Sequence, residues 1–344
     1  MTAGLGASSS PHAAAAATRD DEASPRAAND VREGGVWTRA QTAKNSLIVL
    51  LVRAALMIVD RVPAPLLLLL GRYVGWLIAR IPRNRRVAES NAAYCFAPRE
   101  AGRVARTSFV RAGENVALSL LLRRPTVRAS DVVAMSEPAC ATLANALARG
   151  AGLVFVSAHA GPFEFVAARI AELGRPAAIV VRESYDPRLD PLVDAHRLAR
   201  RLQVIHRGAP GAAFRIVRAL RSGAPVGFLP DLGGRVPSAR VDFMGGVVPF
   251  PVGPQVLALR LGAPIVIGTL ARTSPTRLFG WNRKPTFELR LVAVDDRTNA
   301  NDADNVGELT RRVAFTLSHA ILASPDDWLW MAPRNRLPMR NEQS

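Results

Sequence analysis

The chain has 344 residues, 49% of them hydrophobic and 21% charged, with 45 Lys+Arg against 28 Asp+Glu and a net charge of +17. That is enough chain to bury a sizeable core, and the composition excludes a wholly disordered or collagen-like protein. All basic residues except Lys44 and Lys284 are arginine, whose planar fork suits phosphate and carboxylate. Acidic partners are therefore expected: nucleic acid, an anionic membrane, or an acidic protein or substrate.

Residues 1–44 open with Ala, Ser, Gly and mixed charge and show no apolar period, as in a disordered tail. Two apolar runs follow, 47–59 and 66–81, separated by Pro63 and Pro65. Neither reaches the roughly 18–20 uninterrupted apolar residues of a spanning helix, and the first starts too late for a cleavable signal peptide. Arg53, Arg72 and Arg80 lie inside the runs, and Tyr73 and Trp76 flank a cluster of Arg80, Arg83, Arg85 and Arg86. This fits a membrane-associated helical hairpin over 45–85, lying in or dipping into the bilayer from the cytoplasmic side. A buried helical hairpin is the competing reading.

From 86 to about 150 the apolar spacing is helical, with a Leu-rich helix ending at Pro125 and another over 138–149. Cys95 and Cys140 are too few for a disulfide scaffold or a four-cysteine metal site, and fit core packing in a reducing compartment. From 153 onward the texture changes. Strands are expected at 153–158, 177–182, 202–206, 225–230, 264–271 and 286–294, and helices at 162–174, 187–201, 211–222, 252–262 and 305–323. Such alternation predicts an α/β fold, a mostly parallel mixed sheet flanked by helices, with its site at the carboxyl ends of the strands.

Three polar clusters fall at such strand ends. In His159-Ala160-Gly161-Pro162-Phe163-Glu164, Gly161 permits a tight turn and Pro162 suits a helix start, which places Glu164 in the first helical turn. A carboxylate there could fix the His159 tautomer and stabilise the imidazolium, as a general base requires, and free backbone N–H groups could hold an oxyanion. The structural alternative is a strand-capping histidine and a glutamate favourably placed at a helix start. Arg182, in the second cluster, could bind a phosphate or carbonyl, or be an ordinary loop arginine. Asp231 and Arg235, in Pro230-Asp231-Leu232-Gly233-Gly234-Arg235, could orient His159 and meet an anionic group, or simply form a turn. His196 reads as solvated on an Arg-rich helix, and His206 as a strand end. No G-x-S-x-G, nucleotide loop or His/Cys cluster occurs, so neither a serine hydrolase, a cofactor nor a metal is expected.

His159 followed after four residues by Glu164 resembles the signature of the lysophospholipid acyltransferase superfamily, and within it the bacterial lipid A late acyltransferases (lauroyl and myristoyl transferases) and their relatives that acylate phosphatidylinositol mannosides. The likeness runs over roughly 45–336. Arg85-Arg86-…-Asn91 with Phe96 and Pro98 resembles an early "R-R-x-x-x-x-N … F-P" segment, and Arg182 with Pro187 an arginine block. Pro230-Asp231 resembles a "P-D" block, Phe243-Met244-Gly245 an "F-F-G", and Trp328-Leu329-Trp330 with Arg334 and Arg336 a closing "W-x-W … R". Pro162-Phe163 and Leu232-Gly233 depart from the family pattern and bear on acceptor identity. The resemblance implies an O-acyltransferase domain over 86–344 at the cytoplasmic face of a bacterial inner membrane. Its donor would be a thioester on acyl carrier protein or coenzyme A, and its acceptor a glycolipid hydroxyl, such as that of a lipid A precursor. It implies His159 as base, Glu164 as its partner with Asp231 as a second carboxylate, and Arg182 and Arg235 as substrate binders. Another glycolipid or a lysophospholipid is the alternative acceptor. A basic nucleic-acid-binding protein is disfavoured by scarce aromatics and the absence of a recognition motif, and a non-catalytic lipid-binding scaffold by the intact His159/Glu164 pair.

Overall fold

The computed structural model describes residues 35–234, 236–274, 285–294 and 303–332. Residues 1–34 of the expected tail, Arg235, Arg334 and Arg336 lie outside the described residues. The first helix, α1 (Arg39–Val59), begins inside the segment expected as tail. Thr38 Oγ1 accepts from the Gln41 N–H at 3.2 Å, and the Gln41 side chain accepts from the Thr38 N–H at 2.8 Å, a capping box that apolar periodicity alone did not expose. Proline opens each of the next three helices, α2 (Ala64–Ala79), α3 (Pro82–Ala92) and α4 (Pro98–Leu121).

Helix α2 crosses α4 at very close range. A Cβ on Gly71 would lie 2.4 Å from the Gly113 carbonyl oxygen, and one on Gly113 would lie 2.0 Å from that of Gly71. One turn on, a Cβ on Gly75 would lie 2.2 Å from the Phe109 carbonyl oxygen. Three glycines thus let two backbones touch, and α2 is fixed to the body while its outer face stays apolar.

A short helix α5 (Ala129–Val132) leads into strand β1 (Val133–Ala134), followed by α6 (Glu137–Ala148), β2 (Leu153–Val156), α7 (Glu164–Ala171), β3 (Ala177–Val181) and α8 (Asp190–Ala199). Then come β4 (Leu202–His206), α9 (Ala212–Arg221), β5 (Pro225–Phe228), the hairpin β6 (Ser238–Phe243) and β7 (Gly246–Pro251), α10 (Gly253–Leu261), β8 (Ile265–Arg272), β9 (Phe287–Val294) and α11 (Ala303–Leu322). Seven strands form one sheet in the order β1-β9-β8-β2-β5-β3-β4, and only the β8–β9 pairing is antiparallel. This is the expected mostly parallel α/β sheet flanked by helices. The strand β1 and the β6–β7 hairpin were not expected. The hairpin turns at Met244 (φ 52°) and Gly245 (φ 74°), and a Cβ on Gly245 would lie 2.2 Å from the Tyr94 carbonyl oxygen, so glycine is required there.

Strand β2 is buried throughout, which explains its unbroken apolar sequence. Val154 and Val156 join a core with α9, α10 and α11, while Leu153 and Phe155 join a second core with α6 and α7. Helix α4 serves both, through Phe109 in the first and Leu118 and Leu121 in the second. Cys95 is half-buried and Cys140 exposed, so Cys140 does not pack in the core as expected.

Candidate active site

Strands β2 and β5 are parallel neighbours, and the Ser157 N–H, just past β2, donates to the carbonyl of Phe228, the last residue of β5, at 2.9 Å. The segments that follow them therefore emerge side by side, one carrying His159 and the other Asp231. His159 Nδ1 lies 2.8 Å from Asp231 Oδ1, and the His159 backbone N–H donates to Asp231 Oδ2 at 2.9 Å. Trp328 Nε1–H donates to the same Oδ2 at 2.9 Å. Burial alone would push the Asp231 carboxyl up, but the His159 imidazole and the donated hydrogen bonds outweigh it and hold it below the usual value. Burial likewise pulls His159 down, and Asp231, aided by the Glu164 charge, brings it above the ordinary 6.5. An ionised Asp231 accepting from Nδ1 leaves Nε2 as the basic nitrogen.

The carboxylate in hydrogen-bond contact with the His159 ring is thus Asp231. Glu164 is engaged elsewhere. Helix α7 begins at Glu164 itself, and its carboxylate accepts from Arg197 Nε at 3.1 Å and Nη2 at 2.5 Å, with His196 Nε2 at 3.4 Å. Arg197 also donates to Asp194, which in turn meets His206 Nε2 at 2.7 Å. Burial opposes ionisation of Glu164, but the bonds from His196 and Arg197 prevail and hold its pKa at about 2. Glu164 acts on His159 through its charge alone.

The C-terminal segment locks this loop. Asp327 is the hub: its backbone carbonyl receives the Gly161 N–H at 2.8 Å, and its carboxylate receives Arg272 Nη2 at 2.6 Å and Asn115 Nδ2 at 3.0 Å. Ala160 and Trp328 form a bridge. Trp328 and Trp330 are fully buried, and Asn91 Nδ2 donates to the Trp330 carbonyl at 2.8 Å. Asn91 therefore holds the Trp-Leu-Trp segment, that segment holds Asp231, and Asp231 holds His159. Of the backbone N–H groups before the helix start, where an oxyanion donor was expected, that of Gly161 is spent on Asp327 and that of Phe163 on the Gly161 carbonyl at 2.9 Å.

His159, Gly161, Phe163, Glu164 and His196 border a cavity of about 210 Å³. Its other wall is one face of α4, from Ala112 and Asn115 through Val116, Ser119 and Leu120, with Arg123 just beyond the helix, and Leu329 closes it. Phe163 meets the His159 ring edge to face at 5.0 Å. His196, expected as solvated, lines this cavity. Arg182 is exposed beyond β3 and is not among the side chains that line it. Asn115, Arg197, Asp327 and the role of Trp328 were missed, because each acts across 33 to 212 residues of sequence. Among the described residues, no group of three or more His, Cys, Asp or Glu could hold a metal ion.

Fold and site together define an α/β protein with a histidine–carboxylate pair at adjacent strand ends, opening on a largely apolar cavity. The chain belongs to the bacterial lipid A biosynthesis acyltransferase family, whose profile matches residues 38–336. Family membership makes it an acyltransferase acting on a lipid A-like substrate. No curated protein matches the chain.

Proposed function

We propose that this protein transfers a fatty acyl group from a thioester, on acyl carrier protein or coenzyme A, to a hydroxyl of a lipid A precursor at the cytoplasmic face of a bacterial inner membrane. In this reading His159 Nε2 takes the hydroxyl proton while the oxygen bonds to the thioester carbonyl carbon. Collapse of the tetrahedral intermediate breaks the carbon–sulfur bond, and the imidazolium returns its proton to the departing thiolate, leaving an ester and a free thiol. Asp231 fixes the tautomer and stabilises the imidazolium. Glu164, held ionised by Arg197 and His196, adds a second negative charge near His159. Arg182, exposed beyond β3, would meet acidic donor or acceptor groups away from the cavity, and Arg235 would bind an anionic group of a substrate. The observation that carries the reading is the 2.8 Å contact between His159 and Asp231 at the edge of an apolar cavity.

The test offers purified protein a lauroyl or myristoyl thioester, with lipid A precursor, a lysophospholipid or no acceptor, and follows thiol release and acylated product. Product with the precursor supports the reading. Thiol release that no acceptor stimulates, or product only with the lysophospholipid, contradicts it.

A further inference from the structure

We propose that α1 lies flat on an anionic phospholipid surface instead of crossing the bilayer, and that with α2 it forms one docking face. The proposal rests on reading the protein as an enzyme of membrane lipids, and it deepens that reading. Helix α1 is long and apolar enough to span, at about 31 Å. A spanning helix, however, carries its two ends to opposite sides of the membrane. Here both ends are tied to the same body. At the start, Trp37 stacks on Tyr185 with ring centroids 5.8 Å apart, and two turns in Arg188 Nη1 donates to Ser46 Oγ at 3.0 Å. At the end, Arg123 Nε donates to Asp60 at 3.2 Å, and Arg124 Nη2 donates to the carbonyls of Val59 and Val62.

The burial pattern between those ends agrees. Gln41, Asn45, Val49, Val52, Leu56 and Val59 form the inward stripe along the full length of α1, at helical spacing. The outward side is exposed and apolar, with Ile48 40%, Leu51 59% and Met57 59% accessible. Helix α2 continues the surface through Leu66, Leu70 and Trp76. A contiguous apolar face of this extent marks an interaction site on a monomer. Its charge identifies the partner. Residues 36–86 hold nine basic side chains and one acid, Asp60, which Arg123 already neutralises. Arg80 lies over the Trp76 ring at 3.3 Å, an aromatic and cation pair suited to the headgroup level. Because Arg123 also borders the cavity beside His159, docking this face brings the cavity to the lipid surface.

Topology is the test. Full-length protein carrying an epitope at each terminus is produced in bacteria, and protease is added to spheroplasts or to inverted inner-membrane vesicles. Both epitopes should be cut only in the inverted vesicles. Cleavage of the amino-terminal epitope in spheroplasts, with the carboxyl-terminal one protected, overturns the proposal. A second measurement uses purified protein and vesicles of phosphatidylglycerol or phosphatidylcholine. Binding should favour phosphatidylglycerol and weaken with salt, and Ile48→Glu with Leu51→Glu should lower partitioning by about a hundredfold. Equal binding to both lipids, or unchanged partitioning of that variant, also overturns it. Neither measurement reads acyl transfer, so an inactive protein with this topology would refute the proposed function alone.

Discussion

Replacing Asp231 by Asn separates the tautomer role of the carboxylate from its bulk. Two donors, the His159 backbone N–H and Trp328 Nε1–H, converge on Oδ2, while His159 Nδ1 meets Oδ1. An asparagine that keeps its oxygen toward the two convergent donors turns its NH2 toward Nδ1. The ring must then carry its proton on Nε2, and the base is lost. The opposite orientation preserves the base but sets an NH2 against two buried donors, which costs roughly 1–3 kcal/mol each. The wrong tautomer is therefore favoured by about 2–6 kcal/mol, and kcat should fall about 10²–10⁴-fold. Removing the negative charge also removes what raises His159 above its ordinary value, so the ascending limb of the rate against pH should move toward acid. The assay is thiol release at saturating thioester between pH 5 and 9, with circular dichroism to verify folding. A folded Asp231→Asn variant within tenfold of native kcat and with an unmoved limb would refute the reasoning.

His159→Ala should retain its fold and lose about 10²–10⁴-fold in kcat, measured by the same assay. Glu164→Gln leaves Arg197 and His196 without their carboxylate and should lower the melting temperature in differential scanning calorimetry, while shifting the pH limb less than Asp231→Asn does. The native Glu164 pKa of about 2 lies below its ordinary 4.5. Its stabilisation, about 3 kcal/mol, is thus present above pH 4.5 and lost as pH falls toward 2. Acid unfolding of Glu164→Gln should be correspondingly flatter over that window, and an identical acid titration would count against the Glu164–Arg197 pair. Trp328→Phe removes one donor from Asp231, making it more basic, and should move the pH limb upward, whereas an acid shift would oppose the assigned bond. Gly113→Leu would drive a side chain into the Gly71 backbone, and its melting temperature should fall well below native.

Most of the sheet was legible because its strands are short apolar runs ended by a polar turn, β2 being buried along its whole length; β2 and β5 made His159 and Asp231 conspicuous for that reason. The choice of carboxylate was not legible. Five positions suggest a helical turn bringing Glu164 back to His159, but Gly161-Pro162-Phe163 delays the helix to Glu164, whose carboxylate then meets α8. His196 and Arg197 looked like a solvated basic stretch, since nothing local signals a buried acid 33 positions away. Trp328 reaches Asp231 across 97 positions, a contact that only the closed fold creates. In the β6–β7 hairpin, Ser238–Phe243 does alternate polar and apolar residues, a strand signal the sequence carried, but its partner Gly246–Pro251 does not and holds Pro249 and Pro251, which argue against a strand.

The central claim is that His159, as general base, lets a lipid hydroxyl take a fatty acyl group from a thioester. Its most direct measurement is mass spectrometry of glycolipids from bacterial cells producing the native protein or His159→Ala at matched levels. The account predicts a lipid A species heavier by one acyl group with the native protein and its loss with the variant; the same species in both, or in neither, would contradict it.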